Sequence, residues 1–296
     1  MLQTITLFGH TINLYDFFNN AAVVGQIIIW WFFLRHDYAE AVTLPKLANM
    51  YLNKKKKENV FWRWFFVIVF LLIMQYIGVT ITNIASKPIS MLFLGTTDHN
   101  FFPNILVNPV SVFLLYLLFR NSPLKILDLS APNVAVALIF YKIACFCWGC
   151  CYGVEWEHGM WNQNNGRAEF PVQLVEIACA VIMLVILLLL LHKKGRKTGI
   201  LYPLFMMMYC GSRFVSEFWR DDYPFTWFGG RMTGYHIQCI VGFVLGAVFM
   251  FLTVKWGDRF TAYIDAKNQA LLDKHEKKIR AANRKKNPPP KKHKKR

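Results

Sequence analysis

The chain has 296 residues, a formal net charge of +17, and a composition that is 55% hydrophobic, 16% aromatic and only 17% charged. Long apolar runs in such a composition exclude an ordinary soluble core and point to a membrane. No repeat period, collagen pattern or coiled-coil heptad is present, and residues 1–14 lack the basic region of a cleavable signal peptide.

Seven apolar runs have the roughly 20-residue length of a membrane span. They cover residues 16–35, 60–82, 104–119, 133–150, 172–192, 200–218 and 236–256. The third and fourth are the weakest, being short or interrupted by polar residues. Positive charge collects in alternate connections. Arg35, Lys46 and Lys54 to Lys57 follow the first run, Arg120 and Lys125 the third, and Lys193, Lys194, Arg196 and Lys197 the fifth. By the positive-inside rule those loops are cytoplasmic. The expectation is an all-α polytopic membrane protein of about seven helices, N-terminus outside and C-terminus cytoplasmic, its first span directing insertion.

Residues 1–256 form the expected membrane domain. Residues 257–296 hold 14 Lys/Arg against 4 Asp/Glu, a local charge of +10. Within them 257–284 read as a cytoplasmic polar helix and 285–296 as a disordered basic tail, since proline and like charge oppose folding. Its expected partner is the anionic inner leaflet; no specific nucleic acid is expected.

Five segments carry candidate chemistry. Asn13-Leu14-Tyr15 opens the first span, where a tyrosine also suits the interfacial belt. Asp128, in Leu127-Asp128-Leu129-Ser130-Ala131-Pro132, reads as a structural cap of a helix or turn. Four cysteines cluster in Cys145-Phe146-Cys147-Trp148-Gly149-Cys150-Cys151. Cys147 and Cys150 form a C-x-x-C pair that suits redox chemistry, and a disulfide among Cys147, Cys150 and Cys151 fits an oxidising outer face. Small apolar packing explains them equally well. A closed zinc site needs four ligands and no second such pair exists, so no metal is expected. Phe170-Pro171-Val172-Gln173-Leu174-Val175-Glu176 opens the fifth span; Pro171 suits a helix start, and Gln173 and Glu176 share a face.

The sixth run ends in Tyr209-Cys210-Gly211-Ser212-Arg213-Phe214-Val215-Ser216-Glu217-Phe218-Trp219-Arg220. On a helix Tyr209, Arg213, Glu217 and Arg220 share one stripe. A charge near mid-bilayer costs roughly 2.5–3.5 kcal/mol, so the stripe must face protein or a wet cavity. Two arginines flanking one glutamate favour an anionic ligand, because one acid cannot neutralise both. A structural ion pair at the membrane edge is the plainer explanation.

Together these pieces resemble the prolipoprotein diacylglyceryl transferase family, over perhaps two thirds of the chain. Residues 170–176 resemble its H-P-[ST]-Q-L-Y-E. Tyr209, Arg213, Phe214, Glu217 and Arg220 match its Y-G-x-x-R-[FI]-x-x-E-x-x-R. Residues 127–132 resemble the A-D-L-x-A-P that precedes its signature G-R-x-G-N-F-x-N-x-E-x-x-G. Within that signature Phe146 and Gly153 match. Lys142 stands for the arginine, Cys145 and Trp148 for the asparagines, and Cys150 for the glutamate. Tyr15 matches the N-terminal tyrosine. The family's His-Gly-Gly motif has no counterpart near residues 102–110.

The resemblance implies a bacterial plasma-membrane transferase with seven spans and no cofactor. Its substrates would be phosphatidylglycerol and a prolipoprotein signal peptide carrying a lipobox cysteine, joined as a thioether. Arg213 and Arg220 would hold the phosphate, and Lys142 would keep the positive charge of the family's arginine without its bidentate geometry. Glu217 would orient an arginine or take the thiol proton, and Tyr209 would donate to lipid oxygens. Tyr15, Glu176, Gln173 and Gly153 would line the substrate site. Two other functions fit the residues: a membrane thiol oxidoreductase using Cys147 and Cys150, and a non-catalytic phospholipid- or lipopeptide-binding protein on the same scaffold.

Overall fold

A computed structural model describes residues 3–7, 10–52, 60–94, 101–119, 121–221, 226–227 and 232–286. The described chain is dominated by helices, most of which turn apolar side chains outward; the last, at the C-terminal end, is polar. A short hairpin, β1 (Thr4–Leu7) and β2 (His10–Asn13), leads into α1 (Leu14–Ile29). Asn13 caps α1 by accepting the Tyr15 amide hydrogen at 2.9 Å. A π-helical turn (Trp30–Leu34) passes α1 into α2 (Arg35–Ala41). Next come α3 (Leu44–Leu52), α4 (Val60–Leu94), α5 (Phe101–Leu118) and α6 (Pro123–Trp148). A second hairpin, β3 (Glu155–Asn162) and β4 (Arg167–Glu169), precedes α7 (Val172–Leu191) and α8 (Leu201–Ser216). A 3-10 turn (Glu217–Trp219) and the strands β5 (Thr226–Trp227) and β6 (Met232–Thr233) lead to α9 (Gly234–Leu252). A π turn (Thr253–Gly257) then continues into α10 (Asp258–Lys286).

Each predicted span falls on a helix. Among the described residues, four helical runs are long and apolar enough to cross a membrane: Leu14–Ala41, Pro123–Trp148, Val172–Leu191 and the run that starts at Gly234. The basic tail lies, from residue 287 onward, outside the described residues.

Helix α6 is central, packing against α1, α7 and α8. Its small residues Ala131, Ala135 and Ala144 have no exposed surface, which lets neighbouring backbones approach. Leu127, Ala180, Leu187, Leu201, Tyr202 and Phe205 complete the fully buried centre. On α7, Ile182, Val185 and Leu189 point outward and are at least half exposed, whereas Gln173, Glu176, Ala180, Met183 and Leu187 point inward. A helix apolar outside and polar inside reverses the soluble pattern and fits a lipid surround.

The described chain is mostly helical, as expected of an all-α membrane protein. Among the described residues three short two-stranded antiparallel sheets accompany the helices, one before α1, one between α6 and α7 and one before α9, built from polar or turn-rich stretches that give no apolar run. The structure differs from the sequence expectation in two places. Helix α6 starts ten residues before the predicted 133, because Pro123 opens its first turn and Pro132 is tolerated inside it. Asp128 therefore sits within α6 and does not cap its start. Its carboxylate instead accepts the Gly199 and Leu201 amide hydrogens, each at 2.8 Å, and pairs with Arg196. It satisfies amides at the entry to α8, which no i→i−4 carbonyl reaches.

Candidate active site

The site forms where the ends of α6, α7 and α8 meet. Lys142 comes from α6 and Glu176 from the second turn of α7. Arg213 comes from the last turn of α8, and Glu217 and Arg220 follow that helix. All five side chains are buried, between 0% and 8% exposed.

Glu176 is the hub. Its carboxylate meets Lys142 Nζ at 2.7 Å, Arg213 Nη1 at 2.5 Å and Arg220 Nη1 at 3.5 Å. Ser216 Oγ donates to it at 3.3 Å. Glu217 forms a second centre, 2.9 Å from Arg213 Nη2 and 3.7 Å from Arg220 Nε. Three cations thus face two carboxylates, an excess of positive charge held out of water. Arg213 also lies over the Tyr235 ring, 5.0 Å from its centroid, a cation–π contact that orients the guanidinium. A small cavity opens beside these groups, lined by Leu138, Lys142, Glu176, Met183, Tyr209, Ser212 and Arg213.

The predicted stripe is therefore brought together, but not as one continuous helix. Helix α8 ends at Ser216, Glu217 sits in the 3-10 turn, and Arg220 is extended. Residues 152–154 pair with 219–221 and place Arg220. Val154 N–H donates to the Trp219 carbonyl at 2.9 Å, and Gly153 bridges Arg220. Gly153 is buried for this reason: a Cβ there would fall on the Phe170 carbonyl oxygen and within 2.8 Å of that of Trp219. Arg167 in β4 ties the same corner to Asp221 at 2.8 Å and to Glu169 at 2.8 Å. Those acceptors raise its pKa above the ordinary arginine value.

The other predicted residues are placed as follows. Gln173 is fully buried, and its Nε2 donates to the Cys150 carbonyl at 2.8 Å, joining α7 to the turn after α6. Tyr15 packs against Trp148, ring centroids 5.9 Å apart, on the α1 side of that turn. All seven cysteines are free thiols. The proposed pair of Cys147 with Cys150 is not what the fold assembles: the sulfurs brought together are those of Cys145, Cys150 and Cys151. C-x-x-C spacing fails because Gly149 ends the helix in a left-handed conformation, φ 78°, and turns Cys150 back toward Cys145.

Sequence reasoning missed Thr233, Tyr235 and His236. Thr233 Oγ1 donates to Glu217 Oε1 at 2.7 Å. His236 Nδ1 accepts the Thr233 amide hydrogen at 3.1 Å, completing a capping box at the start of α9. The Thr233-x-x-His236 spacing before an apolar run was the available signal.

The sequence profile of the prolipoprotein diacylglyceryl transferase family matches residues 5–252. The chain belongs to this family. A phosphatidylglycerol–prolipoprotein diacylglyceryl transferase of Clostridium tetani (strain Massachusetts / E88) is 33% identical over 154 residues, 50% of this chain and 61% of the relative. A phosphatidylglycerol–prolipoprotein diacylglyceryl transferase 2 of Clostridium perfringens (strain 13 / Type A) is 30% identical over 105 residues, 33% of this chain and 41% of that relative. The match thus spans about three fifths of the first relative's length.

Proposed function

We propose that the protein transfers a diacylglyceryl group from phosphatidylglycerol to the lipobox cysteine of a prolipoprotein. The observation that carries this reading is the convergence of Lys142, Arg213 and Arg220 on Glu176 inside a bundle of apolar helices. Buried cations outnumbering their carboxylates favour an anion, and in an apolar bundle the anion at hand is a lipid phosphate.

In the proposed reaction the cysteine sulfur attacks the glyceryl carbon attached to phosphate. A C–S bond forms, the C–O bond breaks, and glycerol phosphate leaves with the bonding electrons. The phosphate gains about one negative charge as it changes from diester to monoester, so the cations bind the transition state more tightly than the lipid. The arginine forks match phosphate oxygens, while Lys142 supplies a point charge. Glu217, engaged by both arginines and Thr233, orients them. Tyr209 donates to lipid oxygens, and Tyr15, Gln173, Glu176 and Gly153 shape the substrate side. The thiol proton passes to solvent, so glycerol phosphate leaves as the more highly charged monoester.

The same reading makes the chain a bacterial plasma-membrane protein of seven spans, α1, α4, α5, α6, α7, α8 and α9. Its N-terminus lies outside, and α10 and the basic residues after it lie against the anionic inner leaflet. Each basic residue near that surface contributes about 1 kcal/mol. Reporter fusions at the loops test the orientation. Complementation tests the function: the intact gene should restore lipoprotein maturation in a strain depleted of its own transferase, and Arg213→Ala should not. A membrane-inserted protein that fails to complement would count against transfer; phospholipid binding without turnover would assign the scaffold to binding alone.

A further inference from the structure

We propose that Cys145, Cys150 and Cys151 form a thiolate site for a soft metal cation of the zinc or copper(I) class. The three sulfurs all lie within 4.8 Å of one another, and those of Cys145 and Cys151 are 4.0 Å apart. Thiolates bound to one ion at about 2.3 Å stand roughly 3.8–4.0 Å from each other. A disulfide would need about 2 Å between sulfurs, so the spacing matches shared coordination better than a bond.

The fold builds this arrangement from chain geometry that serves no step of the transfer reaction. Cys145 is on the last turn of α6, 1% exposed. Gly149 then ends the helix with its N–H donating to the Cys145 carbonyl at 2.9 Å. Cys151 has φ 57°, a left-handed conformation that a non-glycine residue adopts at a cost. The two reversals bring Cys150 and Cys151 back over Cys145. Asn162 Nδ2 holds the Gly149 carbonyl at 3.0 Å and Gln173 Nε2 holds that of Cys150 at 2.8 Å. The ligands are thereby fixed on a supported turn.

Electrostatics agree. Three thiolates around a divalent ion carry one net negative charge, and around copper(I) two. Lys142 and Arg220 both lie within electrostatic reach of Cys151, so both cations attract the negatively charged metal–thiolate group. Soft sulfur ligands select zinc and copper(I) over hard cations. Three ligands leave a fourth position open to water or a small ligand. The ion would lock the turn after α6 against α7, holding Lys142 one turn away in place.

The test uses the full-length protein in detergent, stripped of metal and kept reduced without added thiol. Titration with Co2+ should give one bound ion per chain with a thiolate charge-transfer band, and Zn2+ should displace it. In the unmodified protein, bound Zn2+ should shield Cys145, Cys150 and Cys151 together from alkylation, read by mass spectrometry, while Cys147 labelling stays the same. Cys145→Ser and Cys151→Ser should lose the band and Cys147→Ser should keep it. The shielding measurement stands even if a serine variant misfolds. Absence of both band and shielding, a band that survives Cys145→Ser and Cys151→Ser, or a Cys145–Cys151 disulfide in protein alkylated inside cells would overturn the site.

Discussion

Replacing Glu176 with glutamine tests whether the ion cluster is one coupled unit. The substitution keeps the shape and removes the charge that Lys142, Arg213 and Arg220 share. Attraction falls as 1/r, so Arg220 at 3.5 Å contributes about three quarters of what Lys142 contributes at 2.7 Å. Arg213 and Arg220 keep Glu217, at 2.9 Å and 3.7 Å. Lys142 has no second carboxylate among the described ion pairs, so it suffers most. Breaking a buried pair by removing one partner costs about 3–5 kcal/mol. For a chain of 296 residues that reads as roughly 5–8 °C of thermal midpoint in detergent. Lys142→Met alone should cost less, because Glu176 retains two arginines. The double variant should recover part of the Glu176→Gln loss, with a coupling of about 1–3 kcal/mol. Glu176→Gln within about 1 kcal/mol of the parent, or losses that simply add, would refute the claim that Glu176 organises the three cations.

Gly153→Ala should destabilise by about 1–3 kcal/mol and weaken phosphatidylglycerol binding, since the added carbon meets the backbone at Phe170 and Trp219 and must displace Arg220; thermal melts and lipid binding read both effects. Asp128→Ala should cost about 3 kcal/mol by stranding two amide hydrogens and the Arg196 guanidinium, seen as a lower melting midpoint. Thr233→Val removes the hydroxyl donor to Glu217 and the cap of α9. It should cost about 2–3 kcal/mol and slow transfer more than Phe251→Leu, a control on the exposed face of α9.

Much of the fold was legible because membrane helices announce themselves by apolar length. Glu176 and Arg213 were legible because a charge in such a run has to be explained. Arg220 was assigned to the right group for an incomplete reason: helical spacing brought it onto the stripe, whereas the chain reaches the same place through a 3-10 turn and a bridge to Gly153. Thr233 and His236 escaped notice because their spacing marks only a helix cap, while the contact of that cap with Glu217 is set by the fold. The cysteines were misgrouped because C-x-x-C pairing assumes a continuous local path, and two left-handed residues redirect it. Asp128 was read locally although its partners lie about seventy residues away.

Under the proposed function, buried cations hold the phosphate of phosphatidylglycerol while a cysteine sulfur takes its diacylglyceryl group. The direct measurement is transfer by purified protein in vesicles containing phosphatidylglycerol, with a lipobox peptide as acceptor and thioether product read by mass. The parent chain should turn over, and Arg213→Ala that still folds should lose about a hundredfold or more. Folded parent protein that forms no thioether, or Arg213→Ala that turns over at the parent rate, would contradict it.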